Sequence, residues 1–145
     1  MASRILFVDD EESILSSLRR LVRSLPCVYG KLRYELEVDT ATSPTAALGM
    51  VGEHPYDVVV SDYNMPEMNG IDFLIKVREM QPGAELMLLS GLADADDVAR
   101  AYQDAKIYRF VNKPWNDYFL VASIAEALNH RELVLEIAAL RSQQP

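Results

Sequence analysis

Short, continuous apolar runs alternate along the chain with longer stretches in which apolar residues recur every three or four positions. The first pattern suits strands and the second suits amphipathic helices. A strand is predicted near Arg4–Val8, followed by a helix over about Glu12–Ser24 with Ile14, Leu15, Leu18, Leu21, Val22 and Leu25 on its apolar face. Pro26 ends that helix, and Cys27–Arg33, with Gly30, reads as a loop. The second strand, near Tyr34–Ala41, carries charge at its outer positions, as an edge strand does. Ser43-Pro44 supplies an N-cap and a first-turn proline for a helix running to about Glu53. The β-branched run Asp57–Ser61 is a third strand, and a third helix spans Gly70–Met80. A fourth strand covers Glu85–Leu89, and a fourth helix, about Asp94–Gln103, is sparse in large apolar residues. The fifth strand is Tyr108–Val111, and the fifth helix starts near Trp115-Asn116. Five strand–helix units in alternation predict an α/β domain on a parallel sheet.

The last helix is longer than a sheet of this size needs. Leu120, Val121, Ile124 and Leu128 are enough to cover the sheet, yet the helical pattern continues through Leu133, Val134, Ile137 and Leu140. Leu133, Ile137 and Leu140 have the four-then-three spacing of a short coiled-coil seam. The expected division is a domain over residues 1–129 and a helical extension over residues 130–145, leading toward an output domain.

Composition narrows the functional classes. Half of the 145 residues are hydrophobic and the net charge is −8, which disfavours direct contact with nucleic acid or an anionic membrane. No apolar run reaches the length of a membrane span. A single cysteine, Cys27, permits no internal disulfide and suits a reducing cytoplasm; it reads as a small apolar residue without chemistry. His54 and His130 have no ligand partners at metal spacing and read as solvated.

Polar residues cluster at the carboxyl ends of the predicted strands. Asp9-Asp10 and Glu11 follow the first, Asp62 the third, Ser90 the fourth and Lys113 the fifth. In a parallel sheet these ends share one edge, where open α/β sheets bind ligands. Clustered carboxylates repel one another unless a cation joins them, and an all-oxygen set suits Mg²⁺. A divalent ion would also keep Asp62 ionised as a nucleophile and screen an incoming phosphoryl group, with Lys113 and the Ser90 hydroxyl contacting its oxygens. No histidine belongs to the cluster, and no Walker-type glycine loop exists.

The ordered set Val8-Asp9-Asp10-Glu11, Asp62-Tyr63-Asn64-Met65-Pro66 with Gly70, Leu89-Ser90-Gly91 and Asn112-Lys113-Pro114-Trp115 resembles the receiver domain of bacterial two-component response regulators. The resemblance covers about Arg4 to Asn129. It implies a flavodoxin-like, doubly wound five-stranded parallel sheet in the order 2-1-3-4-5, with five helices and an extended last one. It further implies that Asp62 is the phosphoacceptor. Asp10 and Asp62 would bind Mg²⁺, for which Mn²⁺ can substitute, together with the backbone carbonyl of Asn64, and Asp9 would act through water. Ser90 and Lys113 would contact the acyl phosphate, and the Lys113–Pro114 bond would be cis. The phosphoryl donor would be a sensor histidine kinase or a phosphotransfer protein. On phosphorylation Ser90 would move toward the phosphate and Phe110, at the switch-aromatic position, would rotate inward. The readout face would be the fourth helix, fifth strand and fifth helix, and that face or the last helix is where a homodimer is expected. The run Phe110–Trp115 is similar to receivers joined to HD-GYP phosphodiesterase domains and to some joined to transcription activators, while Trp115 itself reads as an anchor for the last helix.

Departures from the family are modest. Ser90 stands where many members have Thr, Pro44 where Gly is common, and the Pro26–Arg33 loop is longer than usual. Asn64 and Leu92 occupy positions that tune dephosphorylation in the family. Two other readings are a phosphatase of the haloacid-dehalogenase type, which needs a carboxylate where this chain has Asn64, and a receiver-like docking module that is never phosphorylated.

Overall fold

Successive residues of the central strands face opposite sides of the sheet, and both sides are covered. The computed structural model describes residues 2–91 and 93–144. In chain order the elements are β1 (Ser3–Val8), α1 (Glu12–Ser24), β2 (Cys27–Tyr29), β3 (Leu32–Tyr34), β4 (Leu36–Ala41), α2 (Pro44–Glu53), β5 (Val58–Asp62), α3 (Gly70–Met80), β6 (Glu85–Ser90), α4 (Ala95–Arg100), a π-helical turn (Ala101–Ala105), β7 (Arg109–Asn112) and α5 (Asp117–Ser142). The main sheet has five parallel strands in the order β4-β1-β5-β6-β7. This is the doubly wound, flavodoxin-like order 2-1-3-4-5 expected for the five sheet strands.

Ile5, Phe7, Val58, Val60, Met87 and Leu89 pack with Leu15 and Leu18 of α1 and Leu120, Ile124 and Leu128 of α5. Their strand neighbours Leu6, Val8, Val59, Leu86 and Leu88 pack on the other side with Ala47 and Val51 of α2 and Phe73, Leu74 and Val77 of α3. Each such buried Val, Leu, Ile, Phe or Met side chain contributes roughly 1.5–3 kcal/mol from burial. The alternation therefore fixes the register, because a one-residue slip would exchange the two layers.

Three expectations need correction. Cys27–Arg33 is not an irregular loop: Cys27–Tyr29 and Leu32–Tyr34 pair antiparallel as a separate hairpin. Gly30, at φ 59°, is the first of its two turn residues, where a positive φ matches the strand twist. Tyr34 accordingly belongs to this hairpin, opposite Cys27, and the edge strand of the main sheet starts at Leu36. The fourth helix is α-helical only to Arg100 and then widens into the π turn, which closes at Lys106 in the left-handed region (φ 54°).

Candidate functional site

The chain leaves β1 on one side for β4 and returns on the other side as β5, so a crevice opens between the ends of β1 and β5. Val8 is level with Ser61, which puts Asp9 beside Asp62. Asp62 is level with Leu89 and Ser90 with Asn112, so Ser90 and Lys113 each lie one residue further along on the next strand. Cross-strand bonds hold these ends: Tyr63 N–H donates to the Leu89 carbonyl at 2.9 Å and Lys113 N–H to the Ser90 carbonyl at 3.0 Å.

Asp9, Asp10 and Asp62 present carboxylate oxygens that all lie within 4.8 Å of one another. Asp9 and Asp62 are buried, 1% and 6% exposed, whereas Asp10 faces solvent. The Lys113 ammonium lies 2.8 Å from Asp62 Oδ1 and 3.3 Å from Asp9 Oδ2. Burial pushes the Asp9 carboxyl above its usual range; the hydrogen bond from Glu11 N–H, at 2.9 Å, opposes this, and the neighbouring Asp62 charge adds to it. Burial pulls the Lys113 ammonium down, but the hydrogen bond to Asp62 and the charges of Asp62 and Asp9 outweigh it, leaving Lys113 above the ordinary lysine value. One ammonium among three carboxylates leaves the pocket short of positive charge. Its all-oxygen donor set and charge fit a hard divalent cation such as Mg²⁺.

Ser90 is buried at the end of β6, and its Oγ accepts from Ala93 N–H at 3.2 Å. Asn64 lies in the loop after β5, two residues past Asp62. Phe110 is half-buried on β7 against the α2/α3 layer, and its N–H donates to the Tyr102 hydroxyl at 3.0 Å. Trp115 packs against the α1/α5 layer, and the Lys113–Pro114 bond is cis. Leu92 lies outside the described residues. The pocket thus brings together Asp9, Asp10, Asp62 and Lys113, with Ser90 one strand away and Phe110 displaced toward the fourth helix.

Two features escaped the sequence reading. A Cβ on Gly70 would lie 2.1 Å from the Asp62 carbonyl oxygen, so a side chain there would collide with the Asp62 backbone. The Tyr63 hydroxyl donates to Asp97 Oδ2 at 3.0 Å, linking the residue after Asp62 directly to α4. The sequence marked Tyr63 only by its adjacency to Asp62, and Gly70 only as the glycine that accompanies the Asp62–Pro66 run.

Comparisons with known proteins agree with this geometry. Residues 5–125 match the response regulator receiver domain. The hydrogenase transcriptional regulatory protein HoxA of Cupriavidus necator is 30% identical over 129 residues, which are 89% of this chain and 25% of that protein. The transcriptional regulatory protein KdpE of Mycobacterium tuberculosis is 32% identical over 135 residues, 92% of this chain and 54% of that protein. The chain therefore spans between about a quarter and a half of these relatives. Among solved structures, the signal receiver domain of an HD domain-containing protein from Pseudomonas fluorescens superposes with a TM-score of 0.80 at 31% identity, covering 93% of each chain. With the match running through both the fold and the acidic strand-end pocket, this chain belongs to the response regulator receiver domains of bacterial two-component signalling.

Proposed function

We propose that this domain accepts a phosphoryl group on Asp62 from the phosphohistidine of a sensor kinase or phosphotransfer protein and passes the change to an output unit. The observation that carries this reading is the buried Asp62 carboxylate, 2.8 Å from the Lys113 ammonium and flanked by Asp9 and Asp10. Asp10, Asp62 and the Asn64 carbonyl would hold Mg²⁺ directly, with Asp9 acting through water. The chemistry supplied by the bound ion is neutralisation of the carboxylates and of the phosphoryl oxygens.

An Asp62 carboxylate oxygen attacks phosphorus as the P–N bond to the donor imidazole breaks, and the imidazole leaves with that electron pair. Lys113, already charged and pointed at Asp62, neutralises the transferred group. The Ser90 hydroxyl exchanges its contact with Ala93 N–H for a phosphoryl oxygen. Phe110 repacks into the space behind Ser90, and α4, β7 and α5 form the face that partners read. Residues 1–129 are the receiver, and residues 130–145 connect it to an output unit of the HD or transcription-regulator kind found in relatives. The pocket, with Asn64 two residues past the nucleophile, lacks the second carboxylate of a haloacid-dehalogenase phosphatase.

Incubation with acetyl phosphate and Mg²⁺, followed by intact-mass measurement, tests the reading. One added phosphate is expected on the native chain and none on Asp62→Ala or on the native chain with a chelator. An unmodified native chain, or equal modification of Asp62→Ala, would reject it.

A further inference from the structure

The fourth helix and the turn that follows it are held very differently. None of the residues Ala95–Arg100 of α4 is buried. Ala101 and Ala105 of the π turn are 0% exposed and Ile107 is 6% exposed, and all three pack into the α2/α3 layer. This base has a second anchor in Arg78, at the end of α3. Its Nε donates to the Ala105 carbonyl at 3.1 Å and its Nη2 to the Lys106 carbonyl at 3.0 Å. Its Nη1 donates to the carbonyls of Pro82 and Ala84 at 2.8 and 2.6 Å. One planar guanidinium fork thus ties the end of the π turn to the α3–β6 loop.

The two halves meet at Ala101. Its N–H is shared between the Asp97 and Val98 carbonyls, and its own carbonyl accepts from both Lys106 and Ile107. Sharp bends in helices fall where the hydrogen-bond ladder is widened in this way. We propose that α4 is an arm hinged at Ala101: residues 95–100 swing, while residues 101–107 stay fixed to α3 through Arg78.

The phosphoacceptor reading of Asp62 supplies the drive, and the inference rests on it. Tyr63, the residue after Asp62, donates to Asp97 in the first turn of the arm, so a change at Asp62 pulls on the arm and not on its base. Every carbonyl that Arg78 grips lies just before β6 or β7, at the amino edge of the sheet, whereas Asp62 closes β5 at the carboxyl edge. Pivot and pocket therefore sit at opposite ends of the domain, as a lever requires. The hinge also divides the surface that a partner meets. Asp96 and Ala99 are exposed on the arm. Tyr102 is exposed on the base, where its hydroxyl accepts from Phe110 N–H at 3.0 Å. A partner laid across both halves reads the angle between them.

Residual dipolar couplings of the backbone amides test this. They are measured on the whole chain with Mg²⁺, before and after addition of beryllofluoride, a phosphoryl mimic whose uptake shows as shifts of the Asp62 and Lys113 amides. The N–H vectors of residues 95–100 are expected to turn relative to β1, β5 and β6 by more than the scatter within those strands. The vectors of residues 101–107 should stay within that scatter. In Arg78→Lys, which keeps the charge but loses the fork, residues 101–107 should turn as well, while the mass gain with acetyl phosphate is retained. Uptake with residues 95–107 turning as one body, or with none of them turning, would overturn the hinge and leave the phosphoacceptor reading standing. An Arg78→Lys chain whose residues 101–107 stay fixed would overturn the assignment of Arg78 as pivot. A native chain that takes up no beryllofluoride would reject both readings. The native comparison needs no variant and decides the hinge by itself.

Discussion

Gly70 shows how closely the loop after Asp62 is fitted. Its N–H donates to the Tyr63 carbonyl at 2.7 Å, closing the loop between β5 and α3. An added methyl would meet the Asp62 carbonyl oxygen at 2.1 Å and Leu88 Cδ1 at 3.0 Å, and the nearer atom is backbone, which has no rotamer to yield. Gly70→Ala is therefore expected to cost about 3 kcal/mol, the upper end of ordinary overpacking. A urea unfolding series measures this, and an unchanged midpoint would show that the loop gives way freely. Asp9, Asp10, Asp62, Ser90 and Lys113 were legible in the sequence because each stands at or just past the end of an apolar run, and a parallel sheet gathers such ends. The bond from Tyr63 to Asp97 was not, since it joins residues 34 positions apart and no periodicity marks the partner.

Among the elements, α4 is held differently from the rest. None of the residues Ala95–Arg100 is buried, so little hydrophobic burial fixes this stretch. Polar tethers take its place: the Asp94 N-cap to Asp97 N–H at 2.9 Å, the Tyr63 hydroxyl to Asp97, Arg100 to Asp72, and Tyr102 to Phe110 N–H. Elements short of apolar packing open locally at low cost. Removing one tether by Tyr63→Phe loses about 1 kcal/mol of net hydrogen bonding. Amide exchange across residues 95–105 is expected to rise about fivefold while the amides of β1, β5 and β6 hold their protection. A uniform rise through the core strands would mean that Tyr63 supports the whole fold and not α4 alone. The sparse apolar pattern announced this weak element, but the π turn after it depends on Lys106 adopting a left-handed backbone, which no composition rule signals. The β2–β3 hairpin was missed for a related reason. Its strands are three residues each, too short to show period-two alternation, and Gly30 read as loop when it was the turn.

At the scale of the whole molecule, the acidic pocket exists only because the fold assembles it. Asp9 and Asp10 follow β1 and Asp62 ends β5, so an unfolded chain holds these carboxylates apart, whereas the folded chain crowds them around one lysine. Burial and the charge of Asp62 both work against an ionised Asp9, so without a cation the folded state carries an electrostatic cost. A divalent ion that binds the folded state and not the unfolded one must raise stability by mass action. At ten times its dissociation constant the gain is about 1.4 kcal/mol, which for a chain of this size lifts the thermal midpoint by about 4 °C. Scanning calorimetry with rising MgCl₂, at ionic strength held constant with NaCl, is expected to show this saturable increase. Asp10→Asn removes one carboxylate at the solvent-facing mouth of the pocket. Its chelator-treated midpoint should match or exceed that of the native chain, because repulsion is relieved, while its response to Mg²⁺ shrinks. Asp104→Asn, a surface change outside the pocket, should leave the response intact. An equal response in all three chains would mean that the ion acts by general screening of a protein of charge −8, and not through the carboxylates at the ends of β1 and β5.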